Sequence, residues 1–304
     1  MIRVLQAVAV ATIVFSFATG LGIDYHGIEL FAHFRLQYFV ASVLLLIGFA
    51  FLLRYAWVAA LLVTVIFNAS FVLPAYISNA PTAMGTTLKL VHANVHSRNS
   101  RYERLLALVE LENPDLIFLQ EFTPEWLAGT QSLLQEYPYA YSEPRDGNFG
   151  IAVFSRIAFA EVRHVASAPL QYPSLLATIK VDDETVTFIS SHPTIPIGRE
   201  LYDARNEQLR GVAELARKQA GNLVLLGDFN ASTWDRHFLE LEASTGLRNV
   251  RQGFGILPTW PAFLPFAMIP IDHALVSDGI AVTDVRTGRQ IGSDHLPLIV
   301  TLAL

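Results

Sequence analysis

No cysteine occurs among the 304 residues, so disulfides, thiolate zinc sites and cysteine nucleophiles are all excluded. Charge is scarce as well, with 16% of residues charged against 52% hydrophobic. The scarcity is local. Up to position 77 the charged side chains are Arg3, Asp24, Glu29, Arg35 and Arg54, and ordinary mixed polarity sets in only after position 81. Basic groups slightly outnumber acidic ones in that first part, so the net charge of −6 arises from the residues beyond position 81. A polynucleotide-binding surface is usually basic; here the balance runs the other way.

Three apolar runs fill the charge-poor part, at 4–23, 36–53 and 55–77. About 20 apolar residues in a helix cover a hydrocarbon core of roughly 30 Å. Buried helices of a soluble bundle keep a polar stripe, and these runs show none. The expectation is a transmembrane region, 1–80, with three helices in a multi-pass protein of an inner or plasma membrane. The first run is longer than a signal-peptide core and more membrane comes after it, so it is expected to be retained. Cytoplasmic loops attract Arg and Lys; with Arg3 and Arg54 inside, the remainder falls on the extracytoplasmic side. The stretch 74–87, rich in Pro, Ala, Ser and Thr, reads as a linker, which makes 81–304 a separate domain.

That domain alternates strands and helices. Strands are expected at 87–93, 115–120, 151–154, 175–181, 185–190, 222–226, 271–276 and 298–302. Tyr102, Leu105, Leu106 and Val109 recur at helical spacing until Asn113-Pro114, where the residue before proline disfavours the α region. A second helix is expected over 200–219. The pattern predicts an α/β fold, two packed mixed sheets flanked by helices: a four-layer α/β sandwich after a transmembrane helical region.

Six apolar strands lie beside an abrupt carboxylate, amide or imidazole. They give Asn94 after LKLVHA, Glu121 after LIFLQ, His192 after FISS, Asp228 and Asn230 in LVLLGDFN, Asp272 in IDHALVS, and Asp294-His295 in GSDHLP. Charged groups against a core are costly unless they bind something. Hard oxygens from Glu121, Asp294 and the Asn94 carbonyl suit Mg²⁺ or Mn²⁺. Two histidines can stabilise or protonate phosphate oxygens, and Asp228 can orient or deprotonate a water. Metal-assisted attack on a phosphate ester needs that inventory.

The series N…QE…H…GDFN…IDH…SDH resembles the endonuclease/exonuclease/phosphatase superfamily, which includes apurinic endonucleases, deoxyribonuclease I, inositol polyphosphate 5-phosphatases and bacterial sphingomyelinases. The likeness covers roughly 87–304, with every block in the family's order, and the apolar N-terminal region looks like that of its bacterial membrane-bound members. The resemblance implies Glu121 as the principal metal ligand, assisted by Asn94 and Asp294. It implies that Asp228 activates the attacking water and that Asn230, with Asn94, holds the substrate. His295 would contact the phosphoryl oxygen, oriented by Asp272, and His192 would bind phosphate or assist the leaving group. Two departures stand out. The family often has HL or HT where this chain has His192-Pro193, and the sequence offers neither an acidic partner for His192 nor the tyrosine some nucleases place between the glutamate and this histidine.

Other residues read as structural. His92, His96, His164, His237 and His273 are expected to be surface or strand residues, and Arg205 and Asn206 to lie in a helix whose arginines face solvent. Arg156 either faces the phosphate or closes a strand-end salt bridge. The uncharged segment 252–271, interrupted by four prolines, is either a loop packed on the sandwich or one whose Trp260 and Phe263 dip into the bilayer. A phospholipid headgroup or small phosphoester is favoured as substrate over nucleic acid. The alternatives are a membrane-tethered endo- or exonuclease acting on DNA or RNA, and a non-catalytic membrane scaffold or sensor. A transporter is disfavoured because the spans carry no ionisable residue in their interiors.

Overall fold

A computed structural model describes residues 2–20, 25–77 and 85–304. The end of the first apolar run and the expected boundary near position 80 lie outside the described residues. Helices α1 (Ile2–Gly20), α2 (His26–Ala32), α3 (Arg35–Phe51) and α4 (Tyr55–Val72) form the N-terminal region, and a 3-10 turn, Leu73–Tyr76, prolongs α4. Two helices, Ile2–Gly20 and Tyr55–Tyr76, are long and apolar enough to cross a membrane. The run expected as the second span is instead part of a bent pair: α2 and α3 meet at 65° and pass the same test only when taken together. The segment between the first two runs is thus partly helical.

Small polar groups turn inward in this bundle. Ser16, Ser42, Thr64 and Asn68 are fully buried, and Asn68 Nδ2 donates to Ser16 Oγ at 2.8 Å. Val4, Val14, Leu44, Val63 and Ile66 lie on the outside. Small residues between helices and aliphatic ones facing out suit an apolar solvent, whereas a water-soluble bundle has the opposite arrangement.

The remainder is built from β1 (Thr87–Asn94), α5 (Tyr102–Glu112), β2 (Leu116–Gln120), α6 (Pro124–Gly129), β3 (Tyr139–Glu143), β4 (Ile151–Ser155), β5 (Phe159–Ser167), β6 (Tyr172–Val181), β7 (Glu184–Ser190), α7 (Arg199–Arg217), β8 (Asn222–Asp228), α8 (Arg236–Thr245), β9 (Arg248–Asn249), β10 (Asp272–Val276), β11 (Ala281–Thr287) and β12 (Leu298–Ala303). They make two six-stranded sheets, β11-β12-β1-β2-β4-β3 and β5-β6-β7-β8-β10-β9. The expected sandwich is present. Beyond the expected elements are β3, β5, β9, β11, α6 and α8.

Each central strand is buried on both faces. In β1, Leu88 and Leu90 enter the core between the sheets, while Val91 and Ala93 pack under α5. Such strands read as continuous apolar runs rather than as alternation. On the far side Leu209, Val212, Ala213 and Ala216 of α7 cover Leu225 and Phe229, the i, i+3, i+4, i+7 stripe of a helix lying on a sheet.

Register decides where the polar strand ends fall. β1 and β2 run parallel, with Asn94 opposite Gln120, and β7 and β8 are parallel in the other sheet. β10 runs against β8, pairing Asp272 with Asp228, and β12 runs against β1 with Leu298 opposite His92. The segments Asn94, Glu121, His192, Asp228, Asp272 and Asp294-His295 are therefore all carried to one end of the sandwich.

Candidate active site

At that end lies a cavity of about 400 Å³. Glu121, His192, Asp228, Asn230, Asp294 and His295 line its polar side. Asn94 and Asp272 do not line it; both sit one layer behind.

Gln120, which the sequence pattern left without a role, joins the two sheets. Its Nε2 donates to Ser191 O at 2.8 Å and its Oε1 accepts from Asp228 N at 2.9 Å. Gly227 of GDFN has φ +147, and a Cβ there would lie 2.0 Å from Ser191 O, so only glycine lets this strand approach so closely. Glu121 and Asn230 also hold positive φ, +58 and +49. Each costs about 1–3 kcal/mol of backbone strain, which the surrounding structure must hold in place.

Asn94 ties the carboxylates together, its Nδ2 lying 3.1 Å from both Glu121 Oε1 and Asp228 Oδ2. Its two carbonyl oxygens already accept hydrogen bonds, Oδ1 from His96 N and the backbone oxygen from Ser293 Oγ. Each retains a lone pair, but both are committed to shaping the loops. Asn230 donates through Nδ2 to Pro193 O at 3.0 Å, and its backbone N–H reaches Asp228 Oδ1 at 3.0 Å.

The histidines converge on two aspartates. His295 Nδ1 lies 2.8 Å from Asp272 Oδ2, and its Nε2 is 3.6 Å from Asp228 Oδ2. His192 Nε2 approaches the same Asp228 oxygen at 3.4 Å; this is the acidic partner that the sequence had not identified. His92, expected to be an ordinary strand residue, is buried and places Nε2 3.2 Å from Asp272 Oδ1, so Asp272 bridges two imidazoles. The ring against His192 is Phe149, at 5.4 Å between centroids, with Tyr172 stacked behind it. An aromatic without a hydroxyl thus stands beside this histidine.

Charge follows from this packing. Burial would depress the His295 imidazolium, but Asp272 and Asp228 outweigh it and push its pKa up to about 10. Burial would raise the Asp228 carboxyl, yet His295 and His192 hold it below its ordinary range. Burial opposes the ionised form of Asp272 too, and His295 nonetheless holds that carboxyl well down. The site therefore rests as carboxylates facing imidazolium.

Asp228, Asp272 and His295 bring three ligand-type atoms within 4.8 Å of one another. They are joined by a hydrogen bond, however, and Asp272 is sealed from the cavity, so the triad forms a proton-linked relay rather than an ion cradle. Glu121 and Asp294, which both line the cavity, offer carboxylate oxygens of the kind a hard divalent cation takes. Asp294 Oδ2 accepts from Trp260 Nε1 at 3.0 Å, while Oδ1 is buried with no hydrogen-bond partner among the described residues. A buried carboxylate oxygen without a donor calls for a partner, and no Lys or Arg lines the cavity among the described residues. The hard-oxygen donors fit Mg²⁺ or Mn²⁺.

Trp260 thus lines the cavity, whereas Phe263 and Phe266 of the same loop are 74% and 77% exposed. Arg156 closes the salt bridge, to Glu136 at 3.1 Å. Arg205 overturns its expectation. It is fully buried and binds Glu29 Oε1 at 2.5 Å, Asp235 Oδ2 at 2.8 Å, Asn206 Oδ1 at 2.7 Å and Asn230 O at 3.0 Å. All but Asn206 come from outside its helix, and Glu29 comes from α2, which helical periodicity could not reveal.

The sequence profile of the Endonuclease/Exonuclease/phosphatase family matches residues 91–295. No curated protein matches the chain. Among solved structures, humanized TDP2 of D. rerio superposes with a TM-score of 0.61 at 18% identity, over 72% of this chain and 99% of that one. The 3' phosphatase NExo from Neisseria, bound to a product DNA hairpin, gives 0.58 at 21% over 70% and 98%. Sphingomyelinase C from Streptomyces griseocarneus gives 0.53 at 15% over 72% and 100%. At these identities the likeness is one of fold.

Proposed function

The chain belongs to the endonuclease/exonuclease/phosphatase family and is a hydrolase of phosphoester bonds; on that premise we propose that it is a membrane-anchored, divalent-metal-dependent phosphoesterase acting on a phospholipid or another small phosphoester. One observation carries the reading. Carboxylates, amides and imidazoles from the ends of both sheets line a single cavity that has no Lys or Arg among its described walls.

Glu121 and Asp294 would hold the cation, with Asn94 bracing Glu121. When bound, the cation supplies charge neutralisation at the phosphoryl oxygens. Asp228, ionised and held by Asn94, His192 and His295, takes a proton from the attacking water as the new P–O bond forms. General-base help of this kind contributes about 10²–10⁴-fold. His295, a cation kept so by Asp272, donates to a phosphoryl oxygen where negative charge grows, and Asn230 offers its amide to the phosphate. His192 binds the phosphate or delivers the proton that the departing ester oxygen requires.

The anchor is α1 with α4 and, from the bent pair, α3, in an inner or plasma membrane. Helix α2 buries Glu29 against Arg205 of the catalytic domain and so lies outside the bilayer. Arg3 and Arg54 lie at the ends of the helices away from the catalytic domain, because Gln37, Phe71 and Ala75 at the opposite ends bond to it. Taken with positive residues inside, this arrangement supports an active site on the extracytoplasmic face. The competing reading, a membrane-tethered nuclease, draws on the Neisseria phosphatase bound to DNA. A non-catalytic scaffold leaves the complete set of polar groups without a purpose. The purified chain should be assayed with Mg²⁺ or Mn²⁺ against DNA, RNA, sphingomyelin, glycerophospholipids and inositol phosphates. Turnover of DNA or RNA but of no lipid or small phosphoester would overturn the substrate proposal.

A further inference from the structure

The catalytic cavity is not closed by the catalytic domain alone. Leu30 and His33, from α2 and the turn after it, line it together with the catalytic groups. Glu29, Leu30 and His33 of this segment divide the work. Glu29 turns away and is buried against Arg205 and the Tyr202 hydroxyl of α7. Leu30 and His33 face the cavity. His33 Nδ1 lies 2.9 Å from Ser232 Oγ and accepts from Ser232 N at 3.3 Å, just beyond the GDFN motif. Four residues on, Gln37 Nε2 donates to Met268 O at 2.8 Å. The segment is therefore seated at several separate points.

With Nδ1 acting as acceptor, the proton of the His33 ring sits on Nε2, which makes no hydrogen bond among the described residues. Burial pushes the His33 pKa down to about 4, so the ring is neutral. The apolar part of the cavity wall includes Leu30, Ile195, Ile197 and Ile269.

We propose that Leu30 and His33 are substrate-binding residues, His33 donating its Nε2–H to an oxygen of the phosphoester and Leu30 contacting an apolar group esterified to that phosphate. The inference rests on the phosphoester-hydrolase reading and names its substrate class: a phosphoester with an apolar tail, met by a wall that the N-terminal region supplies.

Alkyl para-nitrophenyl phosphate diesters, from methyl to decyl, test this in the full-length protein in detergent, with Mg²⁺ or Mn²⁺ and nitrophenolate release as readout. If the unaltered protein releases no nitrophenolate from any member, the hydrolase reading itself fails. With activity present, KM is expected to fall as the alkyl chain lengthens, and Leu30→Ala to diminish the methyl-to-decyl KM ratio by about 10-fold. His33→Ala is expected to raise KM about 3- to 10-fold with kcat within about twofold. Glutamine places its amide near Nε2, whereas asparagine replaces only the Nδ1 acceptor that holds Ser232. His33→Gln should therefore restore KM and His33→Asn should not. A purely structural His33 gives the reverse, and that result, or a KM indifferent to chain length, overturns the proposal. Should the His33 variants not fold, the Leu30 series decides alone.

Discussion

Replacing Arg205 by methionine tests whether the N-terminal region and the catalytic domain share one buried charge network. The guanidinium is fully buried and binds two carboxylates, an amide oxygen and a backbone oxygen. Removing one partner of a buried ion pair costs about 3–5 kcal/mol, because an uncompensated charge is left behind. Glu29 softens this loss. Burial, and Asp235 beside it, already raise its pKa to about 8, so near neutrality it is largely protonated and Asp235 is the carboxylate left uncompensated. We therefore expect the lower end, about 3 kcal/mol, or a fall in Tm of about 6–12 °C for a domain of this size. The assay is thermal unfolding of the full chain in detergent, followed by tryptophan fluorescence. Arg205→Met combined with Glu29→Gln should cost clearly less than the two single changes added together, because the two groups couple. A fall below about 2 °C, or strict additivity, would refute the buried network.

Glu121→Ala and Asp228→Ala should each abolish nearly all turnover, at least about 10²-fold, with Tm retained; substantial residual turnover in either breaks its assigned role. Trp260→Phe removes the indole donor to Asp294 and should weaken apparent Mg²⁺ affinity about 10-fold or more, read from activity against Mg²⁺ concentration. Glu29 also makes stability pH-dependent: its folded pKa lies above its usual value, so its contribution is complete below about pH 4.5 and is lost as pH rises through about 8. The Tm of the full chain should accordingly decline between about pH 5 and pH 8.5, and Glu29→Gln should flatten that decline; an equal slope in both proteins would remove Glu29 as the cause.

The polar groups that meet at the cavity were readable in order because each interrupts an apolar strand. A buried carboxylate after LIFLQ or in LVLLGDFN demands a local reason wherever the strand lies, and the sandwich followed from strand and helix periods alone. Helices long and apolar enough to cross a membrane were readable in the same way, as lengths of apolar chain. Partnership was not readable. His192 and Asp228 meet because β7 and β8 are parallel neighbours, and His92 reaches Asp272 only because the two sheets face each other. Arg205 looked like one arginine among several on a helix until α2 came to lie over it. Sequence determines which groups are too costly to bury alone; tertiary packing determines which ones are buried together, because the distances that settle an ion pair or a hydrogen bond are set by chain segments far apart in the sequence.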